Sequence, residues 1–144
     1  MAQIPNADLL RRTLTGEIKA DEDCLKTILN VPQNVDIIFR PFEAGGVAFC
    51  VVFTEGMAKE DKIADFILRA CHACDARGAD VAPHERAQWV MKNAITLPQA
   101  RLEGRISALV EQILGGMSVL LIDGCTEALL METRGFEKLS LIHI

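Results

Sequence analysis

A chain of 144 residues, half of them hydrophobic, has room for one ordinary domain or two small subdomains and is too apolar for wholesale disorder. Its formal net charge of −5 argues against a nucleic-acid surface, which needs a basic stripe. No apolar stretch approaches the ~18 residues of a membrane span, and Met1–Asp8 lacks the basic-then-apolar pattern of a signal peptide.

Five cysteines, Cys24, Cys50, Cys71, Cys74 and Cys125, form an odd set in apolar surroundings. Such thiols bury as small hydrophobes, and the usage fits a reducing compartment better than a disulfide framework.

In chain order, residues 1–20 have weak periodicity and read as a tail or linker, with a helical turn around Leu9–Leu14. Asp21 has the character of an N-cap for a short helix carrying Leu25, Ile28 and Leu29, with Pro32 as its stop. Val35–Phe39 alternates as a strand does. After Gly45-Gly46, a hairpin-turn pair, the unbroken run Val47–Phe53 predicts a central strand. The longest helix is expected over Ala58–Ala76, with Ile63, Phe66, Ile67, Ala70 and Cys74 as its apolar stripe. A second helical piece covers Glu85–Asn93, and Ala94–Leu97 has the length of a short strand.

Thr96-Leu97-Pro98-Gln99 resembles a helix start, and Leu102, Ile106, Leu109 and Ile113 supply the next stripe, closed by Gly115-Gly116. Gly104 should weaken that helix by about 1 kcal/mol relative to alanine. Met117–Ile122, Asp123-Gly124 and Thr126–Met131 then read as a β-hairpin, because Asp-Gly tolerates the positive φ of a tight turn. The expected class is α/β in the α+β sense, with two small α/β subdomains, each a short sheet packed with helices. Their spans are 21–93 and 94–138, preceded by a flexible segment 1–20.

Motifs of chemistry are scarce. Cys71-His72-Ala73-Cys74 could be a redox pair or half a zinc site, but it falls at a helix C-terminus. There the dipole and Asp75 both disfavour a thiolate, and no second ligand pair exists, so core packing is the preferred reading. His72, His84 and His143 stand apart from any nucleophile, neither glycine pair is followed by the Lys-Ser/Thr of a phosphate loop, and the acidic residues are dispersed. No enzyme, cofactor or metal is expected.

Two stretches carry a family resemblance. LLIDGCTEALLMETRGFEK resembles the hairpin signature of the A subunits of GerA-type spore germinant receptors, and VVFTEGMAKEDKIADFIL resembles their strand–Gly–Lys–Ile segment, with Gly56, Lys59 and Ile63 in order. The resemblance spans about residues 25 to 138. Stage V sporulation protein AF shares the architecture, although Arg134–Lys138 looks more like the receptor form. After Glu137-Lys138 the chain departs from the family pattern, reading Leu139–Ile144.

The resemblance implies a soluble N-terminal domain on the core side of the spore inner membrane, with membrane attachment only through a C-terminal part absent here. It also implies a B subunit and a lipoprotein C subunit as partners, and a response to small nutrient germinants.

Two functions follow. One is a domain that captures a nutrient or other metabolite, for which loop position offers Arg40, Thr54, Glu55, Asp123 and Thr126 as contacts. The other is an assembly or signalling module without a ligand of its own. The alternative to both is a stand-alone cytosolic domain that binds a metabolite, or a thiol-reactive species or metal at Cys71 and Cys74.

Overall fold

The computed structural model describes residues 6–59, 61, 63, 67, 81–93 and 100–133. Helix α1 (Asn6–Leu10) and helix α2 (Ile18–Leu29) lead into strands β1 (Ile37–Ala44) and β2 (Val47–Thr54). A 3-10 turn at Pro83–Glu85 opens helix α3 (Arg86–Asn93). Strand β3 (Arg101–Glu103), helix α4 (Ile106–Leu114) and strands β4 (Ser118–Ile122) and β5 (Ala128–Met131) follow.

All five strands form one antiparallel sheet in the order β1-β2-β4-β5-β3. The α+β class therefore holds. Among the described residues the strands do not divide into two short sheets, because β2 pairs with β4 (Val51 opposite Leu120) and so joins strands from both sides of residues 93–97.

Alternation along the strands divides the core between the two faces of this sheet. Val51, Phe53, Leu120, Ile122 and Leu129 pack with Ala58, Ile63, Ile67, Ala87 and Val90 on one side. Cys50, Val52, Val119, Leu121 and Leu130 meet Leu25 and Leu29 of α2 and Ile106, Leu109 and Ile113 of α4 on the other. A strand buried on both faces reads as an unbroken apolar run, which is why β2 and β4 lack polar alternation.

From Asn6 to Ala20 the lead-in is more than a tail. Leu9, Leu14 and Ile18 are buried, and Leu14 donates its N–H to the carbonyl of Gly104 at 2.9 Å. Helix α2 begins at Ile18 rather than at Asp21, since Asp21 already donates its N–H to the carbonyl of Glu17 at 3.0 Å.

Gly45-Gly46 forms the hairpin turn expected of it, whereas Asp123-Gly124 joins its two strands less tightly than expected. Gly45 and Gly46, with φ of 60° and 78°, make the two-residue hairpin between β1 and β2, where Ala44 faces Val47. At Asp123-Gly124 only the glycine has positive φ (92°), and Cys125 donates its N–H to the carbonyl of Ile122 at 3.1 Å. That is a type II arrangement within a longer connection, and the last β4–β5 pair is Leu120 with Leu129.

The stripe placed on the helix after Pro98 is also divided. Leu102 belongs to β3 opposite Leu129, and α4 starts only at Ile106. Gly104 stands between them, in a close approach rather than in a helix: a Cβ there would lie 2.5 Å from the Thr126 carbonyl oxygen. Helix α4 closes as expected, with Gly116 at φ 101° and Met117 donating its N–H to the Gln112 carbonyl at 2.9 Å, a Schellman cap.

Ile63 and Ile67 are buried as the stripe over 58–76 requires. Cys71, Cys74, Ala94–Leu97, the start at Thr96, the Arg134–Lys138 exit and the 139–144 tail lie outside the described residues. No helix among the described residues is long and apolar enough to cross a membrane.

Candidate functional site

The five residues taken from loop position do not converge. Thr54 ends β2 beside the start of β4, whereas Asp123 and Thr126 lie past the other end of β4. Glu55 is exposed just beyond Thr54, and Arg40 is exposed within β1, opposite Val51. Two of the five are committed to the fold. Thr54 is buried and donates its hydroxyl to the carbonyl of Ile113 at 2.8 Å, fastening β2 to the end of α4.

Asp123 is the hub of a polar junction. Its carboxylate accepts the N–H of Ile18 at 3.2 Å, satisfying a first-turn donor of α2. Its backbone N–H donates to the Ala48 carbonyl at 3.0 Å, and its carbonyl accepts from Arg86 Nη1 at 3.0 Å. Gly124 adds an N–H to the Gly16 carbonyl at 2.7 Å. Asp21, on the first turns of α2, accepts the N–H groups of Thr15 (2.9 Å) and Gly16 (3.2 Å) and the Thr15 hydroxyl (2.9 Å). The junction thus ties the α2 entry, the α3 entry and the β4 exit together through filled hydrogen bonds.

Cys50 and Cys125 are buried thiols held towards the protonated form. Burial raises the pKa of Cys125, although the N–H of Ala87 (3.3 Å to Sγ) and the Arg86 charge oppose it, and Cys125 donates to the Pro83 carbonyl at 3.0 Å. Burial pushes Cys50 up to about 12, with the Glu22 carboxylate adding to the shift. Among the described residues no three His, Cys, Asp or Glu side chains gather as a metal site.

Two surface clefts are lined by described residues. One, of about 330 Å³, runs along α3 between Glu85 and Asn93, past Trp89. The other, of about 260 Å³, lies between the first turns of α2 and the β1–β2 hairpin, lined in part by Ile18, Lys19, Glu22, Pro41, Glu43 and Ala48. Glu22 is the residue that sequence reasoning passed over. Its signal was helical spacing, since it follows Ile18 by four positions and precedes Leu25 by three, on the face that α2 buries.

The GerA family of Bacillus/Clostridium spore germination proteins matches residues 23–142. An uncharacterized membrane protein of Bacillus subtilis, YfkQ, is 30% identical over 109 residues, covering 74% of this chain and 20% of that protein. In fold, the chain is similar to the crystal structure of the N-terminal domain of the A subunit of the Bacillus megaterium spore germinant receptor GerK3. The TM-score is 0.71 at 20% identity, over 86% of this chain and 49% of that one. The chain therefore spans a fifth of its curated relative and about half of its structural one. It belongs to the GerA family of spore germination proteins.

Proposed function

We propose that this chain is a non-catalytic domain of a germinant-receptor A subunit, acting in assembly and signal relay on the core side of the spore inner membrane. Its partners in this reading are the B subunit and the lipoprotein C subunit. The observation that carries it is the GerA match over residues 23–142. The consumption of Asp123, Thr54 and Asp21 in hydrogen bonds of the fold adds support, because it leaves the polar loops as joints rather than as ligand contacts.

The test is made in the full-length A subunit, expressed with its B and C subunits in a spore former. Removal of this domain should abolish co-purification of the complex, or uncouple nutrient addition from germination with the complex intact. Normal assembly together with normal germination in its absence would refute the proposal. Direct capture of a germinant by this domain has its own test, a thermal-shift series with amino acids, sugars and nucleosides. A ligand at ~100 times its Kd adds roughly 2.7 kcal/mol to a native state that alone binds it.

A further inference from the structure

On the buried face of α2, spacing places Ile18, Asp21, Glu22, Leu25 and Leu29 together. The two acids there have different fates. Asp21 is filled by Thr15 and Gly16. Glu22 is only 5% exposed, yet no hydrogen bond or ion pair from any described residue reaches its carboxylate. Lys19, one turn earlier, lines the same cleft without closing on it. Glu22 lines the cleft while only 5% exposed, so its charge keeps little water there, and a cation entering the cleft would meet a carboxylate that no described side chain pairs.

The walls define what kind of cation. Ile18, Pro41 and Ala48 are apolar, and Glu43 supplies a second carboxylate at the exposed rim. Two carboxylates among apolar walls are poor ligands for a hard metal ion, which requires about six oxygens. About 260 Å³ is several times the ~30 Å³ share of one water molecule and falls just below the ~300–1,000 Å³ of drug-sized ligand pockets, which suits a small occupant.

We propose that the cleft between α2 and the β1–β2 hairpin binds a small organic cation, a primary ammonium on a short apolar body, with Glu22 as its charged contact. The site does not rest on the receptor role and is tested apart from it. Calorimetric titration of the whole chain with n-butylammonium chloride should give saturable one-to-one binding, with n-butanol and sodium n-butyrate binding far more weakly. Glu22→Gln, which keeps the shape and removes the charge, should weaken butylammonium binding about tenfold or more. Lys19→Met removes a competing cation and should tighten it. That variant keeps the test decisive if Glu22→Gln fails to fold. Equal binding of butanol and butylammonium, unchanged binding in Glu22→Gln, weaker binding in Lys19→Met, or no saturation at millimolar butylammonium would each overturn the proposal.

Discussion

Asp123 caps α2 from 105 residues away: its carboxylate accepts the N–H of Ile18 at 3.2 Å, across the junction between the β4 exit and the helix entry. Local sequence offers no substitute, because Glu17, at the N-cap position itself, makes no side-chain cap bond. Asp123→Ala should therefore lower stability by about 1 kcal/mol, the ordinary loss for a cap. Asp123→Asn keeps an acceptor and should lose less. Urea denaturation checks both, with a lower midpoint and an unchanged m-value. An unaltered midpoint in Asp123→Ala would show that the cap contributes nothing.

Gly104 distinguishes the observed fold from the sequence expectation. A glycine inside an α-helix would make Gly104→Ala stabilising by about 1 kcal/mol. In the structure the new Cβ would meet the Thr126 carbonyl oxygen at 2.5 Å, so the β3–β5 connection must shift. Gly104→Ala should destabilise by ~1–3 kcal/mol, as overpacking does. The sign of the change in Tm decides the matter.

Glu103 and Arg105 predict a pH response. The Arg105 side chain, with both of its donors at 3.1 Å, holds the Glu103 carboxyl down from 4.5 to about 2, helped by the N–H groups of Arg105 and Gly104 at 3.0 Å. A depressed carboxyl binds its proton more readily when unfolded, so its contribution is present above 4.5 and disappears as pH falls through about 2. Glu103→Gln should flatten the Tm-versus-pH curve in that window. The amplitude should be small, since Arg105 is exposed and water screens the pair.

Cys50 predicts the alkaline side. Burial first, then Glu22, raises its pKa from 9.0 to about 12. A raised pKa means that the native state keeps its proton longer, so stability should decline as pH rises from about 9 towards 12. Iodoacetamide at mildly alkaline pH should label the half-buried Cys24 well before Cys50 or Cys125, as read by peptide mass mapping. Rapid labelling of Cys50 in folded protein would contradict its complete burial.

Much of the fold was legible because burial leaves a period. The apolar run Val47–Phe53 favoured a central strand, and it forms one covered on both faces, while Ile63 and Ile67 sit inside as their spacing requires. Errors arose where tertiary contacts overrode local signals. Leu102 kept helical spacing with Ile106, yet its backbone pairs with Leu129, and Gly104 permits the approach that makes this possible. Asp123-Gly124 does connect two paired antiparallel strands, as its hairpin signal required, but through a longer connection in which Asp123 is held by Ala48, Ile18 and Arg86, partners far off in sequence. The candidate cleft was hidden for a related reason. Glu22 looked like one acid among many until α2 was seen to bury the face on which it stands.

The pairing of β2 with β4 dictates how the molecule must be born. Until Ser118–Ile122 has been synthesised, the nascent chain holds β2 with its inner edge bare and both faces greasy, seven of its eight residues being buried in the finished protein. Closing the sheet then waits on contacts between distant segments, which form slowly. A half-made chain of this kind is a natural client for chaperones, and a fragment ending near residue 93 should aggregate rather than fold.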